Sequence, residues 1–382
     1  MTLLTRFVAL AAALSGLGCS QIRYGQLAET NASALLKTAR EVTREKGLPE
    51  ARELVVERLE AEDDSKGDLE KRVLRTTRDP DLVLPDSLAA MPASERKRVA
   101  LIIVPGTRSG FGAKSNLTQE CLFQAAEKSR EMGFDTHFIQ TKPRGIVEDN
   151  AAFVAEQIRP IFDSADRVVL VMLSKGAHDV IYYLQEYATQ LPESERDKLV
   201  TVLSLAGTVQ GSVVADWFAH SLDPRAVTTR IWLTLSGQGK SLSMLQTVAR
   251  SPWQSGVAEQ IRQTFPNLTW VSVAMLPDGP DGEIAARLWA PKIRRRVSLR
   301  SPYYSPTDGL VETAASVLPD GVTLPEWIVV ARGSHAMPNG RYLDGSPVAP
   351  QTAKPGVEDL QPESGGEVMS AYLRALPRTL LH

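Results

Sequence analysis

The sequence predicts an α/β protein with a mostly parallel β-sheet and helices on both of its faces, preceded by a helical N-terminal region. Three observations predict this. Between residues 98 and 206, apolar runs alternate with segments of helical spacing. Several of the runs are apolar throughout, which is typical of strands buried on both faces. Strands that alternate with helices in this way favour parallel pairing through crossover helices.

The composition is that of an ordinary globular protein with almost balanced charge. The chain has 382 residues and a formal net charge of −2. Proteins that bind nucleic acid usually carry a basic surface, so this balance predicts no nucleic-acid partner. No residues cluster with the spacing of metal ligands, and the sequence predicts neither a metal nor a cofactor. The oligomeric state is left open.

The first 19 residues have the features of a secretory signal peptide. Arg6 supplies a positive charge, residues 7–14 are apolar, and small residues follow up to Cys19. We therefore expect the protein to be exported. Residues 17–20, Leu-Gly-Cys-Ser, resemble the processing site of bacterial lipoproteins. That resemblance implies lipidation of Cys19 and a membrane anchor in the cell envelope, whereas ordinary signal cleavage and secretion are the alternative.

Residues 20–96 are rich in charge and are predicted to form helices. Apolar residues recur at helical spacing over 32–42 and again over 49–59. We expect this region either to pack on the main domain or to tether that domain away from a membrane. None of its residues is predicted to take part in chemistry.

The main domain is predicted over residues 97–382. Its strands are predicted at 99–104, 134–139, 168–173, 199–206, 231–235, 269–276 and 326–331. Its helices are predicted at 116–132, 146–162, 176–191 and 367–376. Residues from about 209 to 267 read as an insertion with an amphipathic segment at 242–253, and such an insertion beyond the end of a strand predicts a lid.

Ser174 lies where a buried strand ends and a helix begins. A sharp turn at this point would hold the serine in a strained backbone conformation and lift its hydroxyl group above the sheet. The helix N-terminus leaves backbone N–H groups free, and that of Lys175 could stabilise a developing oxyanion. The alternative is that Ser174 merely caps the helix.

The stretch around Ser174 resembles the Gly-x-Ser-x-Gly turn of the α/β-hydrolase family, and of its bacterial lipase branch in particular. Gly176 matches the second glycine, whereas Met172 replaces the first. The resemblance implies that Ser174 is a nucleophile. It also implies an oxyanion hole made by the backbone N–H groups of Lys175 and of Thr107, which follows the first strand of the main domain.

The same resemblance implies an acid and a base. Residues 308–311, Asp-Gly-Leu-Val, resemble a stretch of bacterial lipases in which the aspartate is the triad acid, here Asp308. His335 follows the last predicted strand, so a loop could bring it over Ser174 as the base. The chain order Ser, Asp, His is the order of this fold. A turn aspartate and a solvated loop histidine are the alternatives.

The resemblance implies a serine carboxylic-ester hydrolase of lipase or esterase type, with an ester or lipid substrate and no cofactor. An acyltransferase would use the same residues. A catalytically inactive surface lipoprotein with a hydrolase fold is a further alternative, for which Met172 argues. A remote alternative is nucleotide binding through residues 234–241, which approximate the phosphate loop Gly-x-x-x-x-Gly-Lys-Ser after a predicted strand.

Overall fold

The computed structural model describes residues 33–106, 117–142, 145–220, 224–235, 239, 244–246, 257–276, 304–331, 335 and 365–382. The predicted signal peptide with Cys19, the oxyanion residue Thr107 and most of the amphipathic segment at 242–253 lie outside these residues. None of the helices in the described ranges is long and apolar enough to cross a membrane.

A six-stranded sheet forms the centre of the main domain. Its strands are β1 (Val99–Val104), β2 (Asp135–Phe138), β3 (Arg167–Leu173), β4 (Leu199–Leu205), β5 (Thr269–Met275) and β6 (Glu326–Ala331). They lie in the order β2-β1-β3-β4-β5-β6, and each neighbouring pair is parallel. The predicted fold class is confirmed, and each of these strands lies close to a predicted one.

Helices precede, connect and follow the strands. They are α1 (Ala34–Glu45), α2 (Leu48–Glu62), α3 (Asp68–Arg78), α4 (Ala93–Arg96), α5 (Leu117–Glu131), α6 (Val147–Ser164), α7 (Gly176–Glu186), α8 (Glu193–Arg196), α9 (Val213–His220), α10 (Pro224–Leu235), α11 (Val257–Thr264) and α12 (Gly365–Ala375). Three of them, α9, α10 and α11, lie in the stretch predicted as a lid insertion.

Two apolar layers hold the helices to the sheet, because alternate residues of a strand point to opposite faces. On one face, Leu101 belongs to a cluster with α5 and α12. On the other face, Ile102 belongs to a cluster with α6 and α7. Both side chains are fully buried, and burial of each such side chain stabilises the fold by about 1.5–3 kcal/mol. The continuous apolar runs of the sequence reflect this burial on both faces.

The N-terminal region covers the free edge of β6. Asp64 Oδ2 accepts a hydrogen bond from the Glu326 N–H at 2.7 Å, and Asp63 Oδ1 accepts one from the Ile328 N–H at 2.8 Å. The Asp64 N–H donates in return to the Glu326 carbonyl at 2.9 Å. An uncovered edge strand would leave these backbone groups available to another chain. The loop after α2 therefore completes the sheet.

We expect Glu326→Gln to stabilise the protein at pH 8 and to change little at pH 4. Burial raises the pKa of Glu326 to about 7, although hydrogen bonds from Ser272 and Leu318 oppose the shift. A carboxyl group with a raised pKa in the folded state contributes stability below its unfolded pKa and loses that contribution as the pH rises through about 7. Urea unfolding at both pH values would show a gain of about 1–3 kcal/mol at pH 8 alone. An equal gain at pH 4 would contradict the assignment.

The predicted strand at 231–235 is wrong. These residues form the end of α10, where Thr234 Oγ1 donates to the Arg230 carbonyl at 2.8 Å within the helix. The side chain of Arg230 also donates to carbonyls at the end of α9, Phe218 at 3.2 Å among them. A five-residue apolar run is too short to distinguish a strand from a helix by its period. A phosphate loop follows a strand, so the helix removes the context that residues 234–241 need to bind nucleotide.

Candidate active site

Ser174 occupies a strained turn directly after β3. Its φ is +54°, a value that L-residues other than Asn and Asp rarely adopt. The turn is held on both sides of the serine: its N–H donates to the Leu205 carbonyl, and its carbonyl accepts the N–H groups of Ala177 and Thr208, each at 3.0 Å. Such strain persists only where the surroundings impose it. The predicted sharp turn is therefore present.

Glycines allow backbone to approach the turn closely. A Cβ atom on Gly176 would lie 2.5 Å from the Val104 carbonyl oxygen, and one on Gly106 would lie 2.7 Å from the Ser174 Cβ. β1 and the start of α7 thus meet without side chains between them. Met172, where a glycine was expected, is fully buried in the apolar cluster shared with α6 and α7. Its side chain fits there while the turn keeps its shape.

We expect Gly176→Ala to destabilise the fold and to lower activity. The new methyl group would overlap the backbone oxygen of Val104, which cannot move aside as a flexible side chain could. Overpacking of this kind costs about 1–3 kcal/mol. Thermal unfolding and ester turnover would measure both effects. The control is Gly67→Ala, which meets no atom within 4 Å but has φ +76°. The Gly67→Ala protein should lose some stability but no activity. A loss of activity in Gly67→Ala equal to that in Gly176→Ala would contradict the role given to Gly176.

Lys175 is the N-cap residue of α7 and presents two different groups. Its backbone N–H donates to no acceptor within the described part of the chain, so it is available at the helix N-terminus. Its side chain is buried, and Nζ lies 2.6 Å from Oδ1 of Asp179. Asp179 Oδ2 also accepts from Asn150 Nδ2 at 2.9 Å. This ion pair fixes the first turn of α7, to which the candidate oxyanion donor belongs.

Asp308 and His335 lie in direct contact, as the sequence predicts for an acid and a base. His335 Nδ1 is 2.8 Å from Asp308 Oδ2, and both side chains are buried. The other oxygen, Oδ1, accepts the N–H groups of Leu310 at 2.9 Å and Val311 at 2.7 Å. The backbone contributes as well, because the His335 N–H donates to the Asp308 carbonyl at 2.9 Å. Backbone groups therefore hold the Asp308 carboxylate in place, and the carboxylate in turn orients the His335 imidazole.

The loop after β4 connects the serine turn to the loop that carries Asp308. Thr208 Oγ1 donates to the Ser174 carbonyl at 3.1 Å. Two residues further on, the Gln210 side chain donates to the carbonyls of Ala314 at 3.1 Å and Val317 at 3.0 Å. Ser212 Oγ also donates to the Leu310 carbonyl. These links could not be predicted from the sequence, since a single threonine or glutamine in a loop carries no signal of its partner.

Three other described histidines have different surroundings. Burial lowers the pKa of His178 to about 3, so its ring stays neutral, and Nδ1 lies 2.9 Å from Thr208 Oγ1. His137 Nε2 lies 2.9 Å from Asp135 on the edge strand β2. Burial also lowers the pKa of His220, at the end of α9. Among the described residues no group of three or more His, Cys, Asp or Glu side chains could hold a metal ion.

No protein-family model matches the sequence, and no curated protein matches it either. Among solved structures, a carboxyl esterase of metagenomic origin is similar, with a TM-score of 0.46 and 18% identity over 73% of this chain and 74% of that one. Phospholipase PlaB from Legionella pneumophila has a TM-score of 0.37 and 17% identity over 57% of this chain. The match spans 45% of PlaB, less than half of its length.

The strand order and the loops at the ends of the strands define the type of fold. Six parallel strands lie in one sheet, a strained serine turn follows β3, and an Asp–His pair joins the loops that follow β5 and β6. The fold is therefore of the α/β-hydrolase type.

Proposed function

We propose that the protein is a serine hydrolase of carboxylic esters that forms an acyl-enzyme on Ser174. The observation that carries this proposal is the contact between Asp308 and His335, 2.8 Å apart at the edge of the sheet where β3 ends in the serine turn. A buried carboxylate bonded to an imidazole nitrogen is the arrangement that orients a general base. A turn aspartate or a solvated histidine would not need it.

The proposed reaction has two halves. His335 Nε2 takes the proton from the Ser174 hydroxyl as its oxygen attacks the ester carbonyl, while Asp308 keeps the imidazole in the required tautomer. The imidazolium then gives that proton to the departing alcohol. Water, activated by the same imidazole, hydrolyses the acyl-enzyme and frees the serine.

The developing oxyanion needs hydrogen-bond donors that are already in place. The backbone N–H of Lys175 is proposed as one such donor, because the buried ion pair between Lys175 and Asp179 holds the first turn of the helix in place. By its position after β1, the N–H of Thr107 is proposed as the second. Preorganised donors of this kind contribute about 3–4 kcal/mol each to the transition state.

An apolar acyl chain or a lipid is the proposed substrate. Helix α10 exposes apolar side chains, with Leu235 77% and Trp232 42% exposed and Ile231 beside them. Exposed apolar residues in contiguous patches commonly mark binding surfaces. The protein is further proposed to be exported and to carry a lipid anchor on Cys19, which would hold it at a membrane surface.

A burst experiment tests the proposed function. Purified protein is mixed rapidly with p-nitrophenyl esters of short, medium and long acyl chains, and released p-nitrophenol is followed. We expect a burst close to one equivalent per protein, followed by slower steady turnover, as happens when an acyl-enzyme forms faster than water hydrolyses it. Glycerol added as an alternative acceptor distinguishes hydrolysis from acyl transfer. Absence of turnover with every ester would contradict the proposal and favour an inactive hydrolase fold.

A further inference from the structure

The N-terminal region places a buried arginine against the loop that carries Asp308. The guanidinium of Arg40, on α1, binds Glu312 through two atoms: Nε lies 2.9 Å from Oε1, and Nη2 contacts Oε2. The Arg40 side chain is 5% exposed, and that of Glu312 is fully buried. A two-point contact of this kind fixes the orientation of the carboxylate as well as its position.

Glu312 closes the loop that has Asp308 at its tip. Its Oε1 also accepts a hydrogen bond from Ser305 Oγ at 2.9 Å, and its backbone pairs with Thr307. The Thr313 N–H donates to the Pro306 carbonyl at 2.8 Å across the same base. Arg40 therefore holds the point where the two ends of the loop meet, a few residues from the carboxylate that contacts His335.

The same guanidinium also faces the helix that follows the β4 loop. Arg40 Nη2 lies 3.9 Å from Oδ2 of Asp216, a fully buried residue of α9. The cluster thus joins one guanidinium to two carboxylates. Loss of the cation would leave both carboxylates buried without it, a situation that is strongly destabilising.

Apolar packing places Arg40 with precision. Leu36 and Ala39, on the same face of α1, belong to a buried cluster with Val311, Ala315 and Ile328. Val311 in turn donates its N–H to the carboxylate of Asp308. Helix α1 therefore packs directly against the loop through apolar side chains, in addition to the Arg40–Glu312 contact.

We propose that Arg40 is a positioning residue for Asp308, so that the N-terminal helical region is a component of the active site. This inference rests on the proposed function. Its described contacts are with Glu312 and Asp216, and it has no part in the proposed bond-making steps. It holds Glu312, and through it the loop, in the arrangement in which the carboxylate of Asp308 faces His335.

The test compares variants by kcat per active site, with active sites counted by complete labelling with a fluorophosphonate. We expect Arg40→Met to lower kcat about 10- to 100-fold, as small displacements of a catalytic group do, and to change KM less than about 3-fold. Arg40→Lys keeps the positive charge but cannot make the two-point contact with Glu312, so its kcat should lie between those of Arg40→Met and the wild type. Hydrogen exchange of the 304–313 peptide should rise more than that of the sheet.

Arg44→Met is the matched control, because Arg44 lies one turn further along α1 with a side chain that is 47% exposed. It should leave kcat and exchange unchanged. If Arg40→Met fails to fold, the double variant Arg40→Met with Glu312→Gln removes one charge of each sign and should restore part of the lost stability, because only Asp216 then remains buried without the cation. We expect its kcat per site to stay at least about 5-fold low, because the two-point contact is missing.

Two outcomes would overturn the inference. One is a kcat per site within about 2-fold of the wild type in folded Arg40→Met. The other is full kcat in the folded double variant, which would mean that Arg40 acts only on stability. Neither result would contradict the proposed function, because both comparisons are made against a wild-type protein that is active. An inactive wild type would instead contradict the proposed function.

Discussion

We expect Ser174→Ala to lower kcat for p-nitrophenyl butyrate about 10⁴- to 10⁶-fold, because no other group in the proposed mechanism can form the acyl-enzyme. The change removes one oxygen and leaves the hydrogen bonds of the backbone turn in place. The thermal midpoint of unfolding should therefore stay within a few degrees of the wild type. Initial rates and circular dichroism melts measure both quantities.

The matched control for this variant is Ser204→Ala. Ser204 lies on the neighbouring strand in register with Met172, and its hydroxyl is buried with no hydrogen-bond partner among the described residues. Its removal should leave kcat within about 2-fold of the wild type. A Ser174→Ala protein that keeps a tenth or more of the wild-type kcat would show that the nucleophile lies elsewhere.

Asp308→Asn should lower kcat about 10⁴-fold while the loop keeps its shape. The amide oxygen of the asparagine can still accept the N–H groups of Leu310 and Val311, which now bind Oδ1. Its NH₂ group would then face His335 Nδ1 and stabilise the tautomer in which Nε2 carries the proton. An imidazole in that tautomer cannot accept the proton of Ser174. Steady-state kinetics across pH 6–9 would measure the loss.

A second Asp–His pair in the chain provides the control. Asp135 lies 2.9 Å from His137 on β2, at the opposite edge of the sheet from β6. Asp135→Asn makes the same chemical change at a distant site and should leave kcat unchanged. Equal losses in the two variants would indicate a general effect of the substitution and would argue against Asp308 as the triad acid.

The sheet could be predicted from the sequence because strands that are buried on both faces appear as continuous apolar runs. The strands β1, β3 and β4 are almost wholly apolar, and a helical pattern follows β1 and β3. The segment at 231–235 misled the prediction, because in a run of five residues Ile, Trp and Leu fit a short strand as well as a helix. In the structure these residues belong to α10, which begins at Pro224, and proline suits a first helical turn.

The residues of the site differ in how visible they are in the sequence. Ser174 and His335 follow the ends of strands, Asp308 lies in a recognisable Asp-Gly-Leu-Val stretch, and the structure brings Asp308 and His335 into contact. Glu312 and Arg40 are 272 positions apart, so no local pattern relates them. The one available signal was an arginine on the apolar face of α1, four residues after Leu36, where a charged side chain needs a partner.

Labelling with a fluorophosphonate, followed by mapping of the modified residue, tests directly whether Ser174 is the nucleophile, because the reagent reports an activated serine whatever the substrate. We expect a single adduct on the peptide that contains Ser174, absent from Ser174→Ala and formed far more slowly in His335→Gln. Labelling of a different serine, or of Ser174→Ala at the wild-type rate, would contradict it.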